Sequence, residues 1–381
     1  MTERSIVEAA ARLRRHAEPY LVATVVNVRG STYRRPGARM LLTRFRWVAG
    51  TLSGGCLEGD LSHQAWWRTR YGGPVIVTYD SAAPAAEAAA AIDDDVRSVF
   101  GLGCEGVVEV LLERTGATGR IDALEVAARC LRAQRRGAVA TVFRAEVPGV
   151  AIGLRLALVA GGDLEEETDR LDPEIRALVI ADMRAVIERG ASANRSYAGG
   201  MIDVFIEAVL PPPRLFLFGT GHDAIPVAQL GRSLGWDVVV CTSEQRHSTR
   251  DRFTMADEVL VGTADDIATR IAQTDRAVAV VMHHDLERDR ESVAMLLGTK
   301  ARYIGVLGPR ARTELLLEDA ASDPRIHAPV ELALGAETPQ EIALALASEM
   351  MSALAPAPVI RERIGMSHER GGDSTATIAA A

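Results

Sequence analysis

Two patterns of apolar and polar positions divide the chain. In the first half, β-branched apolar runs such as residues 20–28 and 74–80 are separated by glycine-rich breaks, and they predict largely buried strands. After the three prolines at 211–213, short apolar strands alternate with helical segments, which is typical of a parallel sheet with helices on both faces. The pattern therefore predicts an α/β protein in which a mixed N-terminal region precedes a C-terminal parallel-sheet domain.

Breaks in composition divide the chain further. We expect an N-terminal domain over residues 1–118, a middle α/β segment over 119–210 that completes it, and the parallel-sheet domain over 211–355. The last helix of that domain should begin after Thr338, because a threonine, a following proline and a glutamate three residues after the threonine form a helix-start signal. Residues 356–381 lack periodicity and are expected to form a disordered tail.

Composition and charge narrow the range of functions. The 381 residues carry a formal net charge of -8, which argues against the basic surface of a nucleic-acid-binding protein. The first residues include charges and no signal-peptide core, and no window is apolar over the ~18 residues of a membrane span. The four cysteines form no CxxC pair, so a zinc ribbon or a disulfide framework is not expected. We expect a cytoplasmic protein with no membrane span and no nucleic-acid partner.

The segment FGTGHDA carries a GxGxxA motif between a predicted strand and a predicted helix. Gly219, Gly221 and Ala224 occupy the motif positions, with His222 inside the loop, and such a loop lets a phosphate approach the backbone. The motif predicts a Rossmann-like domain. The next strand ends in residues 241–243, CTS, where a dinucleotide site usually has an acid, and Glu244 comes slightly late for that position. Two interpretations stay open: a loop that binds something else or nothing, and a strand end that admits the 2′-phosphate of NADP.

The segment GTLSGGCLEGDL places a cysteine in a glycine-rich loop before a helical pattern. Cys56 would lie at a helix N-terminus, where the helix dipole and unpaired N–H groups favour a thiolate. Glu58 has the opposite effect through like charge, although it can also accept a proton. A small buried cysteine in a tight turn explains the segment equally well. Cys56 and Glu58 are therefore candidate catalytic residues, and Gly54, Gly55 and Cys56 are candidates for cofactor binding.

Two further segments add candidate cofactor-binding residues. Cys104 follows Gly103 in a second glycine loop, FGLGCEG, for which simple packing of the cysteine is the alternative interpretation. The turn RGSTYRRPGAR contains Arg34, Arg35 and Arg39, whose guanidinium groups match phosphate oxygens, although a solvated charged loop also explains such a run. The adjacent histidines of MHHDLERD point in different directions on a strand, so no metal site is assigned.

Six segments occur in an order that is more specific than any one of them: GSTYRRPGARMLL, GTLSGGCLEGDL, GLGCEG, PPPRLFLFGTGH, YIGVLGPR and GAETPQEIALALASEM. With these motifs the chain resembles the XdhC/CoxI family of molybdoenzyme maturation proteins, up to about residue 354. The resemblance implies an N-terminal mixed α/β region of the XdhC/CoxI type followed by a C-terminal Rossmann-like parallel-sheet domain.

The resemblance also implies a function. Members of this family are cytoplasmic chaperones more than catalysts. They bind molybdenum cofactor (molybdopterin), support its sulfuration by a cysteine desulfurase, and insert it into the large subunit of a xanthine dehydrogenase or carbon monoxide dehydrogenase type enzyme. A homodimer is expected. On this interpretation Arg34, Arg35 and Arg39 supply phosphate contacts, and Cys56 and Cys104 lie near the metal.

The Rossmann-like part departs from the family pattern at several positions. Thr242 and Ser243 stand where the family tends to carry an acid, Pro309 replaces a serine, and His283 replaces a threonine. These departures weigh against a nucleotide in this domain. An NADP- or thiol-dependent oxidoreductase and a docking protein with vestigial sites remain as alternative functions.

Overall fold

The protein is described by a computed structural model that covers residues 2–80, 97–99, 106–115, 120–167, 171–243, 247–317, 322–328 and 335–355. Its strands form three sheets that follow one another along the chain. The tail predicted over 356–381 and the loop with Gly103 and Cys104 lie outside the described residues.

The first sheet contains the strands that frame the arginine turn and the first glycine loop. Its order is β3-β2-β1-β6-β4-β5, and the described pairs are antiparallel except β4 with β5. The strands are β1 (Leu21–Gly30), β2 (Arg39–Leu42), β3 (Trp47–Gly50), β4 (Val75–Asp80), β5 (Arg97–Val99) and β6 (Gly106–Arg114). The strands predicted over 20–28 and 74–80 are confirmed as β1 and β4.

The second sheet is antiparallel, with the order β10-β11-β7-β8-β9. Its strands are β7 (Gly137–Ala145), β8 (Arg155–Val159), β9 (Leu164–Glu166), β10 (Ala193–Tyr197) and β11 (Ile202–Val209). A long helix packs on this sheet and buries Val179, Met183 and Val186 against it. Asp172 caps that helix and Pro173 opens it, which is a favourable helix start.

The third sheet is parallel, as the alternating pattern predicts. Its order is β14-β13-β12-β15-β16-β17. The strands are β12 (Arg214–Phe218), β13 (Asp237–Thr242), β14 (Glu258–Val261), β15 (Ala277–Val281), β16 (Ile304–Val306) and β17 (Ile326–His327). This is the strand order of a Rossmann domain, in which ligands bind at the carboxyl edge where the order reverses, here between β12 and β15.

Ten described helices accompany the three sheets. They are α1 (Glu3–Arg15), α2 (Cys56–Arg68), α3 (Ala123–Ala133), α4 (Pro173–Arg189), α5 (Ala224–Ser233), α6 (His247–Arg252), α7 (Ala264–Ala272), α8 (Leu286–Leu297), α9 (Arg310–Leu317) and α10 (Pro339–Leu354). The predicted start of α10 is confirmed, because Thr338 and Glu341 accept hydrogen bonds from each other's backbone N–H groups. Among the helices that the structure describes, none is long and apolar enough to cross a membrane.

Helix α1 joins the N-terminal part to the third sheet. The apolar face of α1 consists of Ile6, Val7, Ala10 and Leu13. This face is buried against α3 and against residues of the first two sheets. The guanidinium of Arg4 on the other face donates to Asp237 and to Asp257, each at 2.5 Å. Asp237 begins β13 and Asp257 directly precedes β14, so α1 contacts the amino edge of the third sheet.

Two further contacts lie on the same amino edge. Gln134 donates to Asp237 at 2.6 Å, and Arg136 donates at 2.6 Å to Asp275, which lies just before β15. A strand of five residues spans about 16 Å, so the opposite, carboxyl edge is well separated from these contacts. The N-terminal part therefore contacts the third sheet at its amino edge, and the GxGxxA loop lies at the opposite, carboxyl edge.

A buried ion pair joins the first sheet to the second. Arg39 opens β2 and is 5% exposed, and its guanidinium donates to the carboxylate of Glu207 on β11, which is 6% exposed. Glu3 of α1 lies 3.4 Å from the same guanidinium. Three elements that are far apart in sequence thus meet at one buried positive charge.

We expect Glu207→Gln to destabilise the protein by about 3–5 kcal/mol, because the buried Arg39 charge loses its main partner. Urea unfolding followed by tryptophan fluorescence measures the change in the free energy of unfolding. Glu8→Gln is the control, since Glu8 is an exposed i,i+4 partner of Arg4 and should contribute less than ~0.5 kcal/mol. Equal effects of the two substitutions would contradict the role assigned to the buried pair.

Candidate functional site

The loop between β1 and β2 presents two arginines to solvent. It is closed against β1 by two backbone hydrogen bonds: Gly37 N–H donates to the Val25 carbonyl at 2.8 Å, and Val25 N–H donates to the Ala38 carbonyl at 2.9 Å. Arg34 and Arg35 are exposed in this loop, and neither has an ion-pair partner among the described residues. Both guanidinium groups are therefore accessible to an anion.

Arg39 does not belong to this exposed group, which corrects the prediction that it contacts a phosphate. The sequence places it in the same arginine-rich run, but the turn ends before it and its side chain is buried in β2. Its guanidinium is engaged with Glu207 and lies near Glu3. A buried charge is stable only with such partners, so Arg39 stabilises the base of the loop.

Glu58 organises the glycine loop between β3 and α2. Its carboxylate accepts hydrogen bonds from the backbone N–H groups of Leu52 at 2.7 Å, Ser53 at 2.8 Å and Gly55 at 3.0 Å. The hydroxyls of Thr51 and Ser53 also donate to it. Glu58 is 1% exposed and occupies the third position of α2, so it both caps the helix and ties the loop to it.

These hydrogen bonds determine the protonation state of Glu58. Burial alone raises the pKa of a carboxyl, but the bonds from Ser53 and Thr51 outweigh it and lower the pKa of Glu58 to about 2. A carboxylate with that pKa is a poor proton acceptor at neutral pH, and its oxygens are already occupied by its own loop. The structure therefore corrects the assignment of Glu58 as a catalytic candidate and gives it a structural role.

The glycines around this loop differ in their surroundings: Gly50, at the end of β3, is tightly packed, whereas Gly54 and Gly55 face open space. Gly50 has φ of +80°, and a Cβ there would lie 2.0 Å from the carbonyl oxygen of Arg39, so only glycine fits. Gly55 has φ of +128° directly before α2. Gly54 and Gly55 are exposed, with open space where a side chain would lie. Helix α2 begins at Cys56, as predicted.

One cavity brings the arginine loop and the glycine loop together. Its volume is about 140 Å³, and its lining is Glu3, Ile6, Arg34, Gly37, Ala38, Arg39 and Thr51. Thr51 is the first residue of the glycine loop, and its hydroxyl donates to Glu58. The exposed Arg34, the buried Arg39 and Thr51 at the start of the glycine loop thus line one cavity, whereas Arg35 lies outside its lining.

Gly106, the last residue of the FGLGCEG segment, packs against the arginine loop at the start of β6. Gly103 and Cys104 lie outside the described residues, and Gly106 is the first residue of β6. A Cβ on Gly106 would lie 2.5 Å from the carbonyl oxygen of Ser31 and 3.0 Å from Thr32, so this glycine lets β6 pack closely on the arginine loop. Cys104 precedes this contact by two residues in the chain.

The GxGxxA loop lies at the carboxyl edge of the third sheet. Gly219 has φ of +139°, and a Cβ there would lie 2.3 Å from the carbonyl oxygen of Met282, so the loop packs tightly on the end of β15. The space above Gly221 is occupied, because a Cβ there would lie 2.5 Å from Oδ1 of Asp223. His222 is exposed, and its carbonyl accepts a hydrogen bond from Ile225 N–H in the first turn of α5.

Two features of these sites are absent from the sequence prediction. Oδ2 of Asp223 lies 2.6 Å from Nε2 of His284, which has a positive φ of +62°. Glu3 lines the N-terminal cavity although it precedes every predicted site residue. An acid inside a phosphate-binding motif is a signal that could have drawn attention to Asp223, whereas no local pattern links Glu3 to a loop more than 30 residues away.

Two family models match the chain. The model described as "XdhC and CoxI family" matches residues 13–80, which include the arginine loop and the first glycine loop. The model described as "XdhC Rossmann domain" matches residues 215–350, which include the third sheet and the GxGxxA loop. Both parts of the architecture therefore have counterparts in the same group of proteins.

Individual relatives match much of the chain. A probable xanthine dehydrogenase subunit of Bacillus subtilis (strain 168) is 28% identical over 334 residues, which are 88% of this chain and 93% of that protein. "Uncharacterized protein YqeB" of Escherichia coli (strain K12) is 28% identical over 220 residues, 55% of this chain and 40% of that protein. The crystal structure of a xanthine dehydrogenase from Bacillus halodurans has a TM-score of 0.71 at 25% identity, with 93% of this chain and 96% of that chain covered.

Glu58→Gln should remove a pH-dependent part of the stability. The pKa of Glu58 is about 2 in the folded protein against an ordinary 4.5, so the ionised carboxylate stabilises the fold fully above about pH 4.5. This stabilisation disappears as the pH falls from about 4.5 towards 2. We expect the wild-type protein to be more stable than the variant by roughly 3 kcal/mol near neutral pH, and the difference to shrink over that range.

Urea unfolding at a series of pH values measures this difference. Glu341→Gln is the matched control, because Glu341 occupies the same capping position at the exposed start of α10 and should have a much smaller effect. A wild-type advantage that stays constant between pH 7 and pH 3 would contradict the role of the Glu58 charge.

Proposed function

Because the chain belongs to the XdhC/CoxI family, we propose that it is a cytoplasmic chaperone for molybdenum cofactor. It binds the cofactor, supports its sulfuration and inserts it into a molybdoenzyme of the xanthine dehydrogenase or carbon monoxide dehydrogenase type. The observation that carries the proposal is the cavity shared by Arg34 and the glycine loop that leads to Cys56. Arg34 on its lining is the partner for the pterin phosphate, and Thr51 on its lining begins the loop that leads to Cys56, the residue proposed for the soft, sulfur-ligated metal.

The arginine side supplies the phosphate contacts. Arg34 and Arg35 are exposed and lack ion-pair partners among the described residues, so binding a phosphate does not require them to leave a carboxylate. Guanidinium groups make paired, charge-assisted hydrogen bonds to phosphate oxygens. Arg39 contributes indirectly, because it forms part of the cavity wall while its guanidinium is paired with Glu207.

The glycine loop supplies the metal side. Cys56 opens α2, where the helix dipole favours a thiolate, and a thiolate is a ligand that suits a soft metal. The open space above Gly54 and Gly55 lets a bulky group approach the start of the helix. Glu58 holds the loop in this conformation by accepting hydrogen bonds from its backbone N–H groups. Cys104 is included in the proposal because it lies two residues before Gly106 in the sequence.

We assign a different role, docking of a protein partner, to the Rossmann-like domain. All residues that line the N-terminal cavity precede residue 52, and α1 contacts only the amino edge of the third sheet in the described contacts. We therefore favour docking of a protein partner, such as the large subunit of the molybdoenzyme or a cysteine desulfurase, over closure of the cofactor by this domain. A homodimer is part of the proposal because the family resemblance implies it.

Anaerobic purification from cells that make the cofactor tests the proposal directly. We expect the wild-type protein to carry pterin and molybdenum, and the double variant Arg34→Ala/Arg35→Ala to bind added cofactor at least about tenfold more weakly, since hydrogen bonds to charged groups contribute ~1.5–3 kcal/mol. Arg184→Ala, at an exposed arginine of α4, is the control and should leave binding unchanged. A wild-type protein without pterin, molybdenum or affinity for added cofactor would overturn the proposal.

Cys56→Ser separates cofactor chemistry from simple docking. We expect this variant to fold normally but to lower the activation of the target enzyme in cells several-fold, because a serine hydroxyl is neither a thiolate nor a soft ligand. Activity of the target enzyme and its sulfur content are the measurements. Unchanged activation in both Cys56→Ser and Cys104→Ser would favour the docking-protein alternative, and turnover of a small substrate with NAD or NADP would favour an oxidoreductase.

A further inference from the structure

Aromatic side chains are exposed at one end of the first sheet. Phe45 is 90% exposed in the turn between β2 and β3, and Trp47 at the start of β3 is 47% exposed. Trp67 in the last turn of α2 and Tyr71 just after that helix are 60% and 86% exposed. Large aromatic rings stabilise a protein when they are buried, and single exposed ones are common, but a group of them marks a contact surface.

Strand pairing brings these residues to the same end of the sheet. Leu21 at the start of β1 pairs with Leu42, the last residue of β2, and with Arg114, the last residue of β6. Arg114 donates to the Trp66 carbonyl and, at 2.9 Å, to the Thr69 hydroxyl, so the end of α2 lies beside the end of β6. With neighbouring strands about 4.8 Å apart, β2 and β6 are separated by roughly 10 Å. Both aromatic segments therefore fit within one protein–protein contact, which covers ~800 Å² of each partner.

Arginines lie against these aromatic rings. The guanidinium carbon of Arg70 is 4.1 Å from the ring centre of Trp67 and 4.5 Å from that of Tyr71. The guanidinium carbon of Arg44 is 6.0 Å from the ring centre of Phe45. Cation–π attraction holds these charges and rings in place, which lowers the entropy that is lost when a partner binds. We define the aromatic surface as the exposed aromatic residues and arginines of segments 43–47 and 66–73: Arg44, Phe45, Arg46, Trp47, Trp67, Arg70 and Tyr71.

The charge of the aromatic surface is opposite in sign to that of the whole chain. Both of its segments contain arginines and no acidic residue, whereas the chain has a formal net charge of -8. Arg46 lies 3.6 Å from Glu18, and Arg44 and Arg70 have no ion-pair partner among the described residues. A carboxylate of a partner can therefore pair with Arg44 or Arg70 without displacing an acid of this chain.

We propose that the aromatic surface binds an acidic segment of a partner protein. The carboxylates of that segment pair with Arg44 and Arg70. Its apolar side chains pack on Phe45, Trp67 and Tyr71. Aromatic residues and arginine are enriched in protein interfaces, and tryptophan, tyrosine and arginine contribute much of the binding energy there. The local positive charge also accelerates the encounter with an acidic partner.

Two other occupants match the surface less well. A two-fold contact with a second copy of the chain would bring the same arginines together, which is repulsive. An anionic membrane typically holds clusters of about four to eight basic residues, whereas this surface has three exposed arginines on a chain with a net charge of -8. A protein segment needs only enough carboxylates to pair with these arginines.

The aromatic surface lies at the opposite end of the first sheet from the N-terminal cavity. Strand β1 begins at Leu21 beside the surface and ends at Gly30, where the arginine loop starts, and its 10 residues span roughly 30 Å. The surface shares no residue with the cavity lining. The inference therefore goes beyond the cofactor-chaperone function, and either proposal can fail without the other.

A fluorescein-labelled peptide in which glutamates alternate with leucines tests the inference on the full chain by fluorescence anisotropy. We expect saturable binding that weakens as salt is added, and no binding of the same peptide with lysines in place of the glutamates. Arg44→Glu/Arg70→Glu should weaken binding of the glutamate peptide at least about tenfold, because like charges then face each other. Arg184→Glu/Arg189→Glu on α4 is the matched control, since it makes the same change in net charge at exposed arginines outside the surface.

Substitution of the rings separates packing from charge. Phe45→Ala/Tyr71→Ala should weaken binding of the glutamate peptide at least about fivefold at unchanged net charge. Leu178→Ala, at an exposed leucine of α4, is the control and should have no effect.

The affinity for added molybdenum cofactor is measured on the same proteins. Variants of the aromatic surface should keep the wild-type value, and Arg34→Ala/Arg35→Ala should bind the glutamate peptide as the wild type does. The two measurements therefore distinguish failure of this inference from failure of the proposed function.

Four results would overturn the inference. The first is the absence of glutamate-peptide binding to the wild-type protein at millimolar concentration. The second is equal weakening by Arg44→Glu/Arg70→Glu and by its control. The third is tighter binding, through the same arginines, of phosphatidylserine vesicles or a single-stranded oligonucleotide than of the peptide. The fourth is self-association in sedimentation velocity that Phe45→Ala/Tyr71→Ala abolishes, which would assign the surface to a second copy. Circular dichroism spectra that match the wild type show that each variant is folded.

Discussion

The N-terminal half depends on the buried charge of Arg39. Its guanidinium binds Glu207 of the second sheet and lies near Glu3 of α1, while its own backbone belongs to the first sheet. Its carbonyl oxygen also lies where a side chain on Gly50 would be. Separating the two sheets would leave Arg39 and Glu207 without each other in the interior, so this pair holds the sheets together, with Glu3 of α1 and the entry to the glycine loop packed beside it. The cavity between the two loops takes its shape from this arrangement.

Hydrogen bonds to carboxylates also orient the third sheet relative to the N-terminal part. Carboxylates along its amino edge, Asp237, Asp257 and Asp275, accept hydrogen bonds from Arg4, Gln134 and Arg136 of the N-terminal part. Because parallel strands all begin at this edge, the edge at which Rossmann domains bind ligands is on the opposite side. The N-terminal cavity, which Glu3 of α1 lines, therefore lies on the amino-edge side of the third sheet, away from that ligand-binding edge.

Local patterns predicted the features that depend on neighbouring residues. The β-branched runs of β1 and β4, the start of α10 at Thr338 and the start of α2 at Cys56 are all set by short-range sterics and capping. The alternation of strands and helices was sufficient to predict the parallel third sheet. Arg39 was grouped with Arg34 and Arg35 because the three are close in sequence, and the strand that removes Arg39 from the loop is short and carries little pattern of its own.

The sequence by itself determined the order of the motifs, and hence the resemblance to the XdhC/CoxI family, together with the glycine positions and the cysteine at the start of α2. Only the tertiary structure decided which arginines are exposed, that Glu58 turns towards its own loop, and that Asp223 covers Gly221. The reason is physical: backbone conformation follows from interactions within a few residues, and its signals are local. The partner of a charge is set by packing between distant segments, as in Asp223 with His284 and Arg39 with Glu207, and sequence separation carries no information about it.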